Sequence, residues 1–238
     1  MNLSIVIPAF NEEKELPDCL ASVRAAVAAC SADAEVIVTD NNSTDRTSDI
    51  AREAGANVVF EPHNQISRAR NAGAAEATGE WLLFIDADSR LHPDTLTELL
   101  AVIDTGTVTG GGCVVDIGSR RWDVRLLVRG CNGLSRTMRW AAGSFVFCRT
   151  DLFRELEGFS LELYASEEID FSRRLKKLAK GFGLKVRILR GHPHLSSARK
   201  MHLYTTREMF AFLGRCILHP KKSLGSRDAL DFFYDGRR

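Results

Sequence analysis

The chain contains the stretch Leu82-Leu83-Phe84-Ile85-Asp86-Ala87-Asp88, in which four apolar residues run directly into two carboxylates. Such a short apolar run is typical of a strand that is buried on both faces of a sheet. Asp86 and Asp88 then fall where this strand ends. In open α/β sheets, ligands bind at the carboxyl ends of strands, so this pair fits a site for Mg²⁺ or Mn²⁺. A solvated acidic turn explains the same stretch equally well on its own.

Strand and helix patterns alternate at short intervals around this stretch. Strands are predicted over residues 3–7, 35–39, 57–60 and 81–85, with helices over 16–27, 46–54, 66–77 and 94–103 between or after them. Short apolar runs that alternate with amphipathic segments are typical of parallel strands joined by helices. The pattern therefore predicts an α/β fold with a mostly parallel central sheet flanked by helices and a Rossmann-like N-terminal half.

The pattern is less regular after residue 105. Further strands are predicted over 108–116, 143–148 and 184–189, and further helices over 122–140, 151–157, 171–181 and 204–218. We expect the helix over 122–140 to be broken near residues 130–133, and residues 191–194 to form a loop. Three glycines at 110–112 indicate either a weak strand or the close approach of another backbone. Ser166 is a candidate N-cap residue for the helix that follows it.

Composition indicates a globular chain with a substantial core. The sequence has 238 residues and 45% hydrophobic residues. No apolar run approaches the roughly 18–20 residues of a membrane span, and the first residues do not resemble a signal peptide. The six cysteines are scattered, with no C-x-x-C pair. We therefore expect reduced thiols and a cytoplasmic protein.

Charge is distributed unevenly along the chain. The formal net charge is +1, but residues 171–238 carry 17 Lys and Arg against 4 Asp and Glu. A cationic C-terminal part favours an anionic partner, such as a phosphorylated ligand, a membrane surface or a nucleic acid. A solvated basic face that is paired with the acidic part of the chain explains the asymmetry equally well.

Polar groups follow three of the predicted strands, at Asn11-Glu12, at Asp40 and at the pair Asp86 and Asp88. Parallel neighbouring strands would bring these groups to one edge of the sheet, where a metal and a nucleotide diphosphate could bind. Arg70, on an adjacent predicted helix, could pair with phosphate oxygens. The chain has neither a Walker motif nor a G-x-G-x-x-G loop, which disfavours a P-loop NTPase and a dinucleotide dehydrogenase.

Taken in order, six segments resemble a family 2 glycosyltransferase with the GT-A fold. These segments are residues 4–13, 38–47, 68–73, 84–88, 143–159 and 167–175. The resemblance covers roughly residues 3–180. It implies an enzyme that moves a sugar from a nucleotide-diphosphate sugar, most often UDP-linked, to an acceptor hydroxyl with inversion, using Mg²⁺ or Mn²⁺.

The same resemblance divides the chain into parts. It implies a GT-A domain over residues 1–200, with a nucleotide-sugar-binding half over 1–105 and an acceptor and catalytic half over 106–200. Residues 201–238 would form a helical basic extension. We expect a sugar, lipid-linked or other hydroxyl acceptor, no nucleic acid, and a peripheral membrane contact through the basic C-terminal region.

The resemblance also assigns roles to individual residues. The residues that it places at the nucleoside are Pro8, Ala9, Asn11, Glu12 and Asp40. It implies that Arg70 lies by the nucleotide, that Asp86 lies near the ribose and the metal, and that Asp88 is the principal metal ligand. His194 or His192 would complete the metal shell, and polar loop surface is the alternative for both.

The catalytic base is the position where this chain departs from the family pattern. The family motif usually reads Glu-Asp, and its Asp is the base, whereas this chain reads Glu167-Glu168. Glu168 is therefore the expected base, with Glu167 and Asp170 as alternatives. Arg173 or Arg174 could pair with the ionised Glu168, and both could equally be solvated helix charges.

Two rival functions remain open from the sequence. A sugar-1-phosphate nucleotidyltransferase combines a similar sheet with an acidic pair and Mg²⁺, but it normally has a glycine-rich loop after the first strand, where this chain has residues 8–13, which contain no glycine. A non-catalytic nucleotide-sugar-binding protein is the second rival, because of the altered base motif. The helix over 122–140 could be an acceptor-side surface or lid, or a plain packing helix.

Overall fold

The computed structural model describes residues 2–141 and 143–197. Its strands are β1 (Asn2–Ala9), β2 (Asp33–Asp40), β3 (Asn57–Phe60), β4 (Trp81–Ile85), β5 (Val108–Asp116), β6 (Phe145–Arg149) and β7 (Lys185–Leu195). Its helices are α1 (Leu16–Cys30), α2 (Thr47–Glu53), α3 (Ile66–Ala75), α4 (Pro93–Asp104), α5 (Trp122–Met138), α6 (Thr150–Glu155) and α7 (Glu167–Gly181). The predicted helix over 204–218 and the basic extension over 201–238 lie outside the described residues.

One seven-stranded sheet carries the fold, in the order β3-β2-β1-β4-β6-β5-β7. Strands β3, β2, β1 and β4 are parallel to one another, as the alternating strand and helix patterns predicted. β6 is antiparallel to both β4 and β5, and β5 is parallel to β7. As a result, β1, β2, β4, β5 and β7 all end at one edge of the sheet, which is also where β6 begins. We call this the carboxyl edge.

Apolar side chains fill both faces of the sheet around β4. Every residue from Trp81 to Ile85 is buried, which confirms the strand predicted from the apolar run. On one face Phe84 packs against Phe153 and Phe159, with ring centroids 5.2 and 5.1 Å away. The acidic pair therefore leaves a strand that is held rigidly by packing on both sides.

The five cysteines in the described part of the chain are all free thiols, as predicted for them. None of the helices in residues 2–141 and 143–197 combines the length and the apolar character that crossing a membrane requires.

Close backbone approach, rather than a weak strand, explains the glycines of β5. A Cβ atom at Gly111 would overlap the carbonyl oxygen of Arg187 on the neighbouring β7. One at Gly112 would lie 2.8 Å from the Cβ atom of Ala141. β5 therefore needs glycine because other parts of the chain lie against it.

We expect Gly111→Ala to lower the free energy of unfolding by about 2–4 kcal/mol, because the backbone of β7 must move to admit the methyl group. Gly130→Ala is the matched control, since nothing lies within 4 Å of a Cβ atom at that helical position. It should stabilise the chain by about 0.5–1 kcal/mol through helix propensity. Chemical denaturation measures both changes, and equal stabilities of the two variants would contradict the close approach.

Two local predictions were wrong, and a third holds in position only. α5 runs unbroken through residues 130–133. Residues 191–194 belong to β7 rather than to a loop, because the carboxylate of Glu98 accepts hydrogen bonds from the backbone N–H groups of residues 190–192 where the β5–β7 register shifts. Ser166 is the N-cap residue of α7, as predicted, but its side chain makes no capping hydrogen bond and its backbone is left-handed, with φ of 62°.

Candidate active site

The turn after β1 is tied to the turn after β2 at the carboxyl edge. The backbone N–H of Asn11 donates to Ser43 Oγ at 2.9 Å, and Asn11 Oδ1 accepts from the backbone N–H of Thr44 at 2.7 Å. The backbone N–H of Glu12 donates to Thr47 Oγ1 at 2.8 Å. Asn11 has a φ of 51°, a left-handed conformation that asparagine tolerates well. The two turns thus form one hydrogen-bonded unit.

Asp40 lies at the base of this unit. It is the last residue of β2, it pairs in register with Ala9, and it is buried. Its Oδ1 accepts from the backbone N–H of Ser43 at 2.9 Å, so the turn fixes the position of the carboxylate. The predicted nucleoside group of Pro8, Ala9, Asn11, Glu12 and Asp40 is therefore brought together, while its contact with a nucleoside stays a prediction.

Two side chains that no sequence pattern singles out, Asn41 and Gln65, hold this edge in place. Asn41 donates to the carbonyl oxygens of Glu61 and His63 and accepts from the backbone N–H of Gln65 at 3.0 Å. Gln65 in turn donates to the carbonyl oxygens of Leu161 and Leu163, at 2.9 and 3.0 Å. Nothing in the sequence distinguishes the buried Asn41 from its exposed neighbour Asn42.

Arg70 bridges the acidic pair and the later acidic motif. Its guanidinium is buried, with Nη2 at 3.0 Å from Asp86 Oδ1 and Nη1 at 2.6 Å from Glu167 Oε1. It also lies over the ring of Phe159, at 5.4 Å from the centroid. Burial acts to lower the pKa of Arg70, but the surrounding carboxylates outweigh burial and raise it.

This bridge differs from the contact that we expected for Arg70. Both terminal nitrogens are engaged by carboxylates, so the guanidinium is used within the protein to join β4 to α7. A contact between Arg70 and a phosphate stays a prediction. Glu167 is likewise held as the buried partner of Arg70, which makes it a poor candidate for a base that must receive a proton from an acceptor.

Glu168 follows at the start of α7 and is half-buried. Its Oε1 accepts from the backbone N–H of Gly143 at 3.3 Å. Burial and the adjacent Glu167 raise the pKa of Glu168 to about 8, although Arg70 acts in the opposite direction. A carboxylate whose pKa lies near neutral pH can both accept and release a proton, which suits general base catalysis.

Asp170, the remaining alternative for the base, is occupied elsewhere. Its Oδ2 accepts from Arg174 Nε at 2.8 Å, and the same guanidinium donates to the carbonyl oxygens of Leu156 and Gly158. Arg173 lies over the ring of Trp140, at 6.0 Å from its centroid. The pairing of Arg173 or Arg174 with Glu168 is therefore not realised. Of the three acidic candidates, Glu168 is the one whose contacts best suit a base.

His194 is buried rather than part of the surface. It lies near the end of β7, fully buried, with its ring 5.1 Å from that of Phe145. Neither ring nitrogen has a hydrogen-bond partner among residues 2–141 and 143–197. Burial lowers the pKa of His194 to about 4, with Asp86 acting in the opposite direction. His192 instead has an exposed ring, with Nδ1 at 3.6 Å from Glu98 Oε2.

A divalent cation fits the donors at this edge. No group of three or more His, Cys, Asp or Glu side chains within the described residues is arranged to hold a metal alone. Mg²⁺ and related ions commonly take one or two carboxylates and complete their shell with substrate phosphates and water. Asp86 and Asp88 are carboxylates of this kind at the carboxyl edge, and His194 as a further ligand stays a prediction.

Comparison with known proteins decides the family. The model of glycosyl transferase family 2 matches residues 4–154, which is more than half of the chain. The chain belongs to glycosyl transferase family 2. A PGL/p-HBAD biosynthesis glycosyltransferase of Mycobacterium bovis (strain BCG / Pasteur 1173P2) is 31% identical to this family 2 chain over 183 residues, covering 72% of this chain and 68% of the relative.

Other relatives match a shorter part of this family 2 chain. An uncharacterised glycosyltransferase of Mycobacterium bovis (strain ATCC BAA-935 / AF2122/97) is 39% identical over 110 residues, covering 45% of this chain and 47% of the relative. The chain thus spans about half the length of this curated relative.

Solved structures confirm the fold. A mannosyltransferase from Pyrobaculum calidifontis in complex with GDP-Man and Mn²⁺ superposes with a TM-score of 0.64 at 20% identity, covering 88% of this chain and 64% of the other. Glucosyl-3-phosphoglycerate synthase from Mycobacterium tuberculosis, in complex with Mn²⁺, UDP and glucosyl-3-phosphoglycerate, gives 0.60 at 21% identity, covering 90% and 80%. The predicted GT-A fold is confirmed for this family 2 chain.

Proposed function

We propose that this protein is a metal-dependent, inverting glycosyltransferase that moves a sugar from a nucleotide-diphosphate sugar to an acceptor hydroxyl, with Glu168 as the catalytic base. The chain's family supports the general reaction. The observation that carries the specific proposal is the carboxyl edge itself. There the turns after β1 and β2, the acidic pair after β4 and the base candidate on α7 converge. Arg70 joins Asp86 of that pair to Glu167, the residue before the base candidate.

The chemistry follows from the positions of these groups. The acceptor oxygen attacks the anomeric carbon while its proton passes to a carboxylate oxygen of Glu168. A new carbon–oxygen bond forms as the bond to the diphosphate breaks, and the nucleoside diphosphate leaves with the electron pair. One direct displacement inverts the anomeric configuration. Asp40 and the turn containing Asn11 hold the nucleoside, which fixes the sugar relative to Glu168.

The metal and the donor form the second part of the proposal. A divalent cation bound by Asp88, with Asp86 and His194 nearby, would neutralise charge on the leaving diphosphate. The neighbouring structures contain Mn²⁺ with either UDP or GDP-Man. They support Mn²⁺ as the first metal to test, and sugars linked to UDP or to GDP as candidate donors. We propose a UDP-sugar as the first donor, as the sequence resemblance implied.

The domain division is also a proposal. The donor-side strands β1 to β4 lie within residues 1–105, and β5 to β7 with α7 lie within 106–200. This arrangement supports a nucleotide-sugar half and an acceptor half inside one GT-A domain. A cytoplasmic location stays a prediction, as does the role of residues 201–238.

A screen of nucleotide sugars with Mn²⁺ tests the proposed reaction. We expect one donor to raise the melting temperature and to release its nucleoside diphosphate when a suitable acceptor is added. No shift with any UDP, GDP or dTDP ligand would overturn the proposal. Binding with no release for any acceptor would support the non-catalytic binder, and pyrophosphate release from an NTP and a sugar 1-phosphate would support the nucleotidyltransferase.

We expect Asp88→Asn to abolish the Mn²⁺-dependent part of the donor's thermal shift and to lower kcat/KM at least about 100-fold, because a neutral amide binds a divalent cation poorly. Asp86→Asn should mainly weaken nucleotide binding and loosen Arg70. Asp49→Asn is the control, since Asp49 makes an exposed ion pair with Arg52 on α2. An unchanged Mn²⁺ response in Asp88→Asn would remove Asp88 from the metal site.

A further inference from the structure

α5 presents an exposed apolar face that the proposed reaction does not explain. Trp122, Leu126 and Leu134 are 76%, 62% and 57% exposed. Trp122 and Leu126 are one helical turn apart and share a face, whereas Val124 and Ser135 point the opposite way and are buried. A helix in a water-soluble fold normally buries such residues, so this face indicates a contact with something outside the described chain.

Cationic side chains lie along one flank of this face and just after the helix end. Arg125, Arg129, Arg136 and Arg139 are all exposed. None of the four belongs to an ion pair formed within residues 2–141 and 143–197. The acidic residue of the first turn, Asp123, is neutralised by Arg121 at 2.7 Å. The helix therefore combines large apolar side chains with a net positive surface.

We propose that α5 docks this protein onto an anionic lipid surface. Helices that bind the membrane interface pair apolar side chains, tryptophan among them, with arginine or lysine that contact anionic headgroups. Trp122 and Leu126 would enter the headgroup region, and the arginines would lie against lipid phosphates. Residues 198–238 are a less suitable cover for this face, because they carry nine Lys and Arg against four Asp and Glu. A second copy of α5 would likewise bring like charges together.

The chain path links this surface to the candidate base. α5 ends at Met138, and five residues later the backbone N–H of Gly143 donates to Glu168. A docked α5 would hold the acceptor side of the site close to the lipid. This part of the inference rests on the proposed function, and it implies an acceptor hydroxyl carried by a membrane-held molecule.

Flotation of the full chain with lipid vesicles tests the docking. We expect binding to vesicles of phosphatidylcholine with 30% phosphatidylglycerol at low salt, and weak binding to phosphatidylcholine alone. Trp122→Ser with Leu126→Ser should lower the partition coefficient roughly tenfold or more through lost apolar burial. Arg125→Gln with Arg129→Gln should lower it by about fivefold per charge.

Matched variants on other surfaces control for general effects of polarity and charge. Phe182→Ser removes an exposed aromatic residue after α7, and Arg24→Gln with Arg52→Gln removes two exposed charges on α1 and α2. These should float like the unaltered chain, and nucleotide-induced thermal shifts should show that every variant is folded with an intact donor site.

Three results would overturn the docking. The first is no flotation of the unaltered chain, and the second is α5 variants that float as well as the unaltered chain does. The third is a dimer in analytical ultracentrifugation that Trp122→Ser with Leu126→Ser dissociates, because the face would then cover a second copy. None of these results depends on sugar transfer, so the proposed function is tested separately.

Discussion

Replacing Arg70 with alanine is expected to lower the free energy of unfolding by about 3–5 kcal/mol and to abolish sugar transfer. The guanidinium is buried between the carboxylates of Asp86 and Glu167, and Glu167 is itself only 3% exposed. Removing one partner of a buried ion pair leaves an uncompensated charge in a poorly solvated place, which costs far more than the pair contributes. Chemical denaturation and donor-dependent nucleotide release measure the two effects.

Three variants separate the bridge from ordinary charge loss. Arg46→Ala removes a surface pair whose side chains are 67% and 66% exposed, and it should cost at most about 0.5 kcal/mol. In Arg70→Lys the side chain can pair with one carboxylate at a time, so the free energy of unfolding should lie between those of Arg70→Ala and the unaltered chain. Adding Glu167→Gln to Arg70→Ala should restore part of the lost stability. If Arg70→Ala were as stable as Arg46→Ala, the bridge would not hold β4 to α7.

Glu168→Gln is expected to lower the rate of sugar transfer and to raise the free energy of unfolding at pH 8. Transfer should fall by about 10²–10⁴-fold, the usual contribution of a general base. The conservative Glu168→Asp keeps the carboxylate and matches the common family motif, so it should retain measurable transfer. Full activity of Glu168→Gln, with unchanged donor binding, would assign the proton transfer to another group.

The raised pKa of Glu168 predicts the pH dependence of both quantities. Because burial and Glu167 raise this pKa to about 8, kcat/KM should increase with pH and level off above about pH 8. The pKa of Glu168 is about 4.5 in the unfolded chain and about 8 in the folded one. Its contribution to the free energy of unfolding is therefore fully present below pH 4.5 and is lost as pH rises towards 8. Glu168→Gln should therefore be more stable than the unaltered chain by about 1–3 kcal/mol at pH 8, and equal to it near pH 4.

Sequence patterns predicted the donor side of the sheet well, because its central strands β1 and β4 are short apolar runs that are buried on both faces. Residues 81–85 show this directly, and the carboxyl edge followed from the positions of Asp40 and Asp86 after their strands. β7 was harder to predict. Gly191 and Pro193 suggest a loop, yet the strand continues because Glu98, on a helix more than 90 residues earlier, satisfies the backbone N–H groups at the bulge.

The contacts within the site could not be predicted either, because they join residues that are far apart in the sequence. Arg70 and Glu167 are 97 residues apart, and no periodicity connects them. A surface arginine that binds phosphate and a buried arginine that bridges two carboxylates look alike in sequence. Burial also decides the state of His194, because a histidine beside a proline resembles exposed loop in the sequence, whereas β7 places its ring fully buried beside Phe145. The roles of Glu168, Asp88 and His194 in catalysis and metal binding stay predictions.

The antiparallel placement of β6 has a consequence for how this protein could be altered. Because β5 ends and β6 begins at the carboxyl edge, residues 117–144 form an insertion whose two ends are anchored on adjacent strands of the sheet. Changes to the exposed residues of this insertion should leave β4 and the acidic pair in place, provided that Ala141, which packs against Gly112, and Gly143, which donates to Glu168, are kept. This makes the segment an exchangeable cassette, through which new acceptors could be introduced by grafting while the donor-binding strands are left intact.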